Sequence, residues 1–223
     1  MHKLCVSGCS FSNYARNHKV TKTYGELVAQ HYNREYIHNA VDAGSNDRIW
    51  RTTTNMILDG ELTPQDVIII QYTIKDRQEF WSPNTKINDN NLQELWKDDG
   101  SIFRYTAQAE HKVGKEKMLV DTINRFSNWK FNEEVFRVRH NHFMAFLQVK
   151  GFEHAYFLKA GMYGPYFEDK DMLIPYFKKK IINGSDLLDK EEYRSDAGHM
   201  NQEGHENAAR RINRLLKKKG LHG

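Results

Sequence analysis

The chain alternates short apolar runs with longer stretches in which apolar residues recur every three or four positions. Residues 4–7 are a short apolar run ending in Gly8 and predict a buried strand. Tyr24, Leu27, Val28 and Tyr32 fall at helical spacing over 23–32, and residues 35–38 predict a second short strand. Ile49, Trp50, Thr53, Ile57 and Leu58 mark one face of a helix over 47–59. The strongest strand pattern is 66–73, where Val67-Ile68-Ile69-Ile70 is an unbroken β-branched run. Such a run predicts burial on both faces, as inside a parallel sheet. Val135, Phe136, Phe143, Phe146 and Leu147 predict a helix over 133–150, residues 154–159 a fourth strand, and Ala208, Ile212, Leu215 and Leu216 a closing helix over 201–219.

Two stretches break this rhythm. Residues 74–128 are polar, rich in Asn, Asp and Lys, and carry aromatics without a clear period. They exceed a normal connection and predict an insertion or lid, partly helical over 108–124. Residues 162–183 are again irregular and aromatic. Strands alternating with helices predict an α/β protein, a three-layer α/β/α sandwich of flavodoxin-like type with about five parallel strands. The absence of a repeat, a low-complexity tract or a Pro/Gly linker makes residues 1–223 a single domain carrying the 74–128 insertion.

Composition narrows the picture. The 223 residues are 39% hydrophobic and 28% charged, which fits a globular domain and excludes disorder. No apolar run approaches the ~18 residues a membrane span needs. The N-terminus reaches Gly8 too soon for the core of a signal peptide, so a cytoplasmic protein with no membrane partner is expected. Cys5 and Cys9, if extended, are ~13 Å apart, too far for a disulfide, and reduced thiols suit that compartment. The net charge is +4, with Arg210, Arg211, Arg214 and Lys217 to Lys219 crowded together. This reads as a solvated helix with cations at its negative end, and no nucleic-acid motif accompanies it.

Three segments carry candidate chemistry. Gly8-Cys9-Ser10-Phe11-Ser12 follows the first strand, where open parallel sheets bind ligands, and the glycine permits a sharp turn. Asp196-Ala197-Gly198-His199 precedes the closing helix. A carboxylate there can hold the Nδ1 proton of the histidine, leaving Nε2 to take a proton from a serine hydroxyl. Asp196 is too far upstream to cap a helix that begins near Asn201. Asn39 to Asp47 follows the second strand; Gly44 offers an unobstructed N–H to a developing oxyanion, while Ser45 or Asn46 can cap the next helix. His140-Asn141-His142 suggests a metal pair, but positions i and i+2 of a helix face apart, and no metal or organic cofactor is expected.

In this order, the three segments resemble the SGNH/GDSL hydrolase family. The first block matches as Gly8-Cys9-Ser10, the second as Asn39 with Gly44, and the last as Asp196 with His199. The run from Asn201 to Ala209 also resembles the family's tail. Cys9 stands where the family usually has Asp. The family's Gly-x-Asn block after the third strand is replaced by Gln71-Tyr72-Thr73, followed by Arg77 and Glu79, which suggest an ion pair fixing the loop in preference to an anion site near the pocket. Gly8 to Phe11, Gly44 to Ile49 and Thr73 with Arg77 and Glu79 look like a branch of the family with members carried by large tailed phages, which would place the protein in a virion or host cytoplasm.

The resemblance implies a serine esterase. Ser10 would be the nucleophile, His199 the base and Asp196 its orienting acid, with the N–H groups of Ser10 and Gly44 and a side-chain donor from Thr73 or Asn46 forming the oxyanion hole. The polar, aromatic insertion and Met162 to Phe167 point to a polar ester such as an O-acetylated carbohydrate. The alternative is a glycan- or small-ligand-binding protein on the same fold, without turnover.

Overall fold

The computed structural model describes residues 1–14, 20–42, 44–73, 78–81, 102–105, 129–160, 181–184 and 199–221. The elements run β1 (Lys3–Gly8), a 3-10 turn (Ser10–Ser12), α1 (Tyr24–His31), β2 (Glu35–Ala40), α2 (Asn46–Leu58), β3 (Val67–Gln71), β4 (Gln78–Trp81), β5 (Ile102–Tyr105), α3 (Trp129–Val149), β6 (Ala155–Ala160), β7 (Ile181–Gly184) and α4 (Gln202–Lys218). Side-chain caps set three helix starts: Thr23 accepts from Glu26 N–H, Ser45 from Arg48 N–H and Asn201 from Gly204 N–H.

Five strands form one parallel sheet in the order β2-β1-β3-β6-β7. β3 is central, and Val67, Ile68, Ile69 and Ile70 are all fully buried, as the β-branched run predicts. The alternation of the strand splits these residues between two cores. Val67 and Ile69, with Leu4 and Val6, pack under Tyr24 and Val28 of α1 and Ala208, Ile212 and Leu216 of α4. Ile68 and Ile70, with Cys5, pack under Ile49, Trp50 and Ile57 of α2 and Phe136, Phe143 and Leu147 of α3. The result is the expected α/β/α sandwich, with a pair of helices on each face. Among the described residues, no helix is long and apolar enough to cross a membrane.

Three features differ from the sequence expectation or lie beyond it. β7 falls inside the stretch read as irregular, because Ile181-Ile182-Asn183-Gly184 offers only two apolar residues to signal it. The insertion contributes an antiparallel pair, β4 with β5, that no periodicity announced. The helix expected over 108–124 and the aromatic stretch from Met162 to Phe167 lie outside the described residues, as does Arg77.

The chain passes from β1 to β2 on one side and then crosses to β3 on the other. The β1/β3 boundary is therefore the topological switch point, where a crevice opens beyond the carboxyl ends of the strands. β1 ends at Gly8, β2 at Ala40 and β3 at Gln71, so the three segments that follow these strands meet there.

Candidate active site

Ser10 opens the 3-10 turn directly after β1 and is 8% exposed. As the first residue of a helical turn, its N–H has no partner within the turn. The turn closes through Ser12 N–H to the Cys9 carbonyl at 2.9 Å and Asn13 N–H to the Ser10 carbonyl at 3.3 Å. The role of Gly8 is spatial. It is absent from the residues with positive φ, and a Cβ built on it would lie 2.7 Å from Ser12 Oγ and 3.0 Å from Gln71 Oε1. The glycine makes room for two polar side chains at the entry to the turn.

Beyond the turn, Asn13 is tied down on both sides. Its Nδ2 donates to Asp42 Oδ1 at 3.0 Å, and its Oδ1 lies 2.8 Å from His38 Nε2. The buried interior of the first two blocks is also hydrogen-bonded. Asn39 Nδ2 donates to Ser7 Oγ and Thr52 Oγ1, both at 2.9 Å, and Arg48 Nη1 donates to Asn39 Oδ1 at 3.3 Å. Asn39, matched to the family's second block, thus braces β1 against α2 below the crevice.

Gly44 approaches the first block closely. A Cβ there would meet the Gly8 carbonyl oxygen at 3.0 Å and the Val41 carbonyl oxygen at 3.1 Å. Its N–H donates to that Val41 carbonyl at 3.1 Å, closing the turn after β2. Asn46 and Thr73, the two side-chain candidates for the oxyanion, are paired with each other. Asn46 Oδ1 accepts Thr73 N–H at 2.9 Å, and Asn46 Nδ2 donates to the Thr73 carbonyl at 3.1 Å. The Asn46 carboxamide therefore acts as a short strand partner for the exit of β3, using Oδ1 and one of its two amide hydrogens. Both residues are buried, at 3% and 1% exposure.

His199 comes to the same place from the far end of the sequence. Its ring lies 5.3 Å from the ring of Phe11, the neighbour of Ser10. The start of α4 explains how it gets there. Gln202 Oε1 accepts Thr21 N–H at 2.9 Å and Lys22 N–H at 3.2 Å, and His205 Nδ1 accepts Tyr24 N–H at 3.1 Å. These bonds lash α4 to the segment leading into α1. Burial lowers the His205 pKa to about 4, so the ring is neutral with its proton on Nε2. Asp196 lies outside the described residues.

The other candidates separate cleanly. His140 is buried and His142 is exposed, as the helical spacing requires. Tyr72 lies between two partners: Trp50 Nε1 donates to its hydroxyl at 3.0 Å, and that hydroxyl shares a 2.9 Å hydrogen bond with His140 Nδ1. Burial lowers the His140 pKa to about 4, which keeps the ring neutral in the core. No group of His, Cys, Asp and Glu suited to a metal ion occurs among the described residues. Cys5 and Cys9 are not joined in a disulfide, and both are buried.

One residue escaped the sequence reading. Gln71 Oε1 accepts from Cys9 N–H at 3.3 Å, Cys9 Sγ at 3.3 Å and Ser12 Oγ at 3.0 Å. The available signal was a polar residue closing an otherwise unbroken apolar strand, since a buried carboxamide requires partners.

The sheet order, the crevice at β1/β3 and the serine turn above it define a flavodoxin-like α/β/α sandwich. Within that class, the fold is the one adopted by SGNH/GDSL hydrolases. A structure described as a lipolytic protein of the G-D-S-L family from Desulfitobacterium hafniense matches with a TM-score of 0.57 at 11% identity, covering 97% of this chain and 100% of that one. The psychrotrophic esterase EstA from Pseudoalteromonas, in a structure inhibited by monoethylphosphonate, matches with a TM-score of 0.55 at 11% identity, covering 98% of each chain. A lipase/acylhydrolase from Enterococcus faecalis matches with a TM-score of 0.54 at 12% identity, covering 99% of this chain and 96% of that one. No family profile matches the sequence, and no curated protein sequence matches it.

Proposed function

We propose that the protein is a serine esterase in which Ser10 attacks an ester carbonyl, His199 accepts the hydroxyl proton and Asp196 orients the imidazole. The observation that carries this reading is the contact between Phe11 and His199, which sets a histidine from the pre-α4 loop beside the serine turn at the β1 exit. Attack by Oγ would give a tetrahedral oxyanion that accepts from the Ser10 N–H. Thr73 would add a side-chain donor, held in place by the two bonds from Asn46 to its backbone. Gly44 N–H would contribute by sharing its hydrogen between the Val41 carbonyl and the oxyanion. His199 would then protonate the departing alcohol, and water would release the acyl group by the same steps in reverse.

The organophosphonate that inhibits the Pseudoalteromonas neighbour suggests the test. Incubation with a p-nitrophenyl ethylphosphonate, followed by mass measurement, is expected to give one covalent adduct on Ser10 and none in Ser10→Ala. An unlabelled wild-type protein would overturn the reading.

A second reading has a specific observation behind it. The Gly44 N–H and much of the Asn46 amide are engaged within the fold, which suits a protein that holds a polar ligand without turning it over. Retention of an acetylated glycan without release of acetate would identify that case.

For the substrate, we favour a polar acylated carbohydrate over a lipid, on the polar and aromatic character of 74–128 and of Met162 to Phe167. Release of acetate from acetylated sugars should outpace release of fatty acid from long-chain esters. Faster turnover of the long chains would reverse the assignment.

A further inference from the structure

We infer that Gln71, the last residue of β3, is a positioning residue for the Ser10 nucleophile, because one buried carboxamide oxygen gathers both flanks of the nucleophile turn. The inference rests on the reading of Ser10 given above.

β1 and β3 pair in parallel, with Ser7 opposite Ile70, so Gln71 follows directly alongside the exit of β1. Its side chain is fully buried. A carboxamide in that setting is costly unless both ends are bonded. The nitrogen end is fixed by chemistry: Nε2 lies 2.5 Å from the Tyr72 carbonyl oxygen, which can only accept. The oxygen end must then face the turn, where it meets donors only, namely the Cys9 N–H, the Cys9 thiol and the Ser12 hydroxyl.

The Ser12 hydroxyl extends the arrangement. It lies 2.5 Å from the Tyr24 hydroxyl, and since it donates to Gln71 it accepts from Tyr24. Burial raises the Tyr24 pKa, so that phenol stays protonated as a donor. A directed chain therefore runs from α1 through the turn to β3, Tyr24 to Ser12 to Gln71. Ser10 sits between the two anchored residues. A three-residue 3-10 turn has poor hydrogen-bond geometry of its own and does not hold a side chain rigidly without help. Anchoring residues 9 and 12 to one oxygen on the central strand supplies that help, and the missing side chain of Gly8 leaves the room that Ser12 Oγ and Gln71 Oε1 occupy.

The test compares wild type with Gln71→Met, Gln71→Glu and Ser12→Ala. It reads phosphonylation of Ser10 by the p-nitrophenyl ethylphosphonate, kcat and KM on p-nitrophenyl acetate, and the melting temperature. Displacing a reacting group by about 1 Å costs on the order of 100-fold in rate. Gln71→Met, which keeps the length and loses the hydrogen bonds, should therefore label Ser10 and turn over ester some ~10- to 100-fold more slowly, with KM within about threefold. Gln71→Glu keeps an acceptor for Cys9 and Ser12, but its second oxygen must carry a proton to face the Tyr72 carbonyl. Its activity relative to wild type should rise as pH falls, because the protonated carboxyl restores the carboxamide pattern. A folded Gln71→Met protein that labels at the wild-type rate overturns the inference. If Gln71→Met does not fold, Ser12→Ala decides: a loss confined to kcat supports the inference, and an unchanged kcat overturns it. A wild-type protein that is never labelled removes the nucleophile reading and the inference together, a result distinct from a labelled wild type with an unaffected variant.

Discussion

Phe11 and His199 lie with their rings 5.3 Å apart and tilted by 34°, although one follows β1 and the other precedes α4. The contact gives His199 a wall to rest on. Ser10→Ala and His199→Ala should abolish ester hydrolysis to a similar degree, since a nucleophile and its base act as a unit. On the proposed mechanism, Phe11→Ala should lower kcat more than it raises KM, because the ring contact that it removes is with the proposed base. Steady-state kinetics on p-nitrophenyl acetate check all three, and a fully active His199→Ala would remove the histidine from the mechanism.

Thr73 and Asn46 should respond differently to substitution. On the proposed mechanism, Thr73→Val keeps the backbone bonds to Asn46 and should lose part of the ~3 kcal/mol that one oxyanion donor is worth. Asn46→Ala removes the two buried hydrogen bonds that its carboxamide makes to the Thr73 N–H and carbonyl, each worth about 0.5–1.5 kcal/mol. It should therefore lose stability and activity together. A Thr73→Val variant with the wild-type rate would sink the donor assignment.

Gly44→Ala places a Cβ 3.0 Å from the Gly8 carbonyl oxygen and 3.1 Å from that of Val41. Both are backbone atoms and cannot step aside, so the loop must shift. Overpacking of this kind costs about 1–3 kcal/mol. Urea unfolding should show that loss, and kcat should fall because the displaced segment adjoins the nucleophile strand. An unchanged urea midpoint would mean that the loop yields freely.

Acid should destabilise the fold in a defined window. His140 and His205 are buried, with pKa values lowered from 6.5 to about 4 by burial. Between those values the unfolded chain takes up protons on these rings and the folded chain does not. Their contribution is fully present above pH 6.5 and is lost as pH falls toward 4, on the order of 3 kcal/mol for each ring. In His205→Asn, whose amide oxygen can still accept from Tyr24 N–H, the slope of stability against pH should be shallower by about one proton. Urea unfolding at several pH values between 7 and 5 measures it, and equal slopes would contradict the assignment.

Much of the scaffold was legible because burial leaves a pattern. The β-branched run of β3 announced a strand buried on both faces, and the helical spacing of Ile49, Trp50, Thr53 and Ile57 announced α2, although Leu58, read onto the same face, is exposed at the helix end. The 3.6-residue period likewise separated His140 from His142. β7 was illegible because two isoleucines among polar and aromatic residues carry no period. Gln71 was illegible for a different reason. Its partners come from another strand and a turn, and a lone glutamine has no spacing that points to them. The third block, which looked in the sequence like a loss of the family's asparagine, is where three networks meet. Gln71 holds the serine turn, Tyr72 joins Trp50 to His140, and Thr73 is clasped by Asn46.

The bonds from Gln202 and His205 to Thr21, Lys22 and Tyr24 have a consequence in time as well as in space. β1 and its serine turn are made before the other helices and strands described, whereas His199 and α4 follow every other described element. On the reading proposed here, the nascent chain carries a nucleophile that has no base to activate it. The two halves become one catalyst only when α4 emerges and docks against the entrance to α1. On that reading chemistry waits for α4 to dock, and an event that peels α4 away would part base from nucleophile and uncover the core face of Leu4, Val6, Val67 and Ile69.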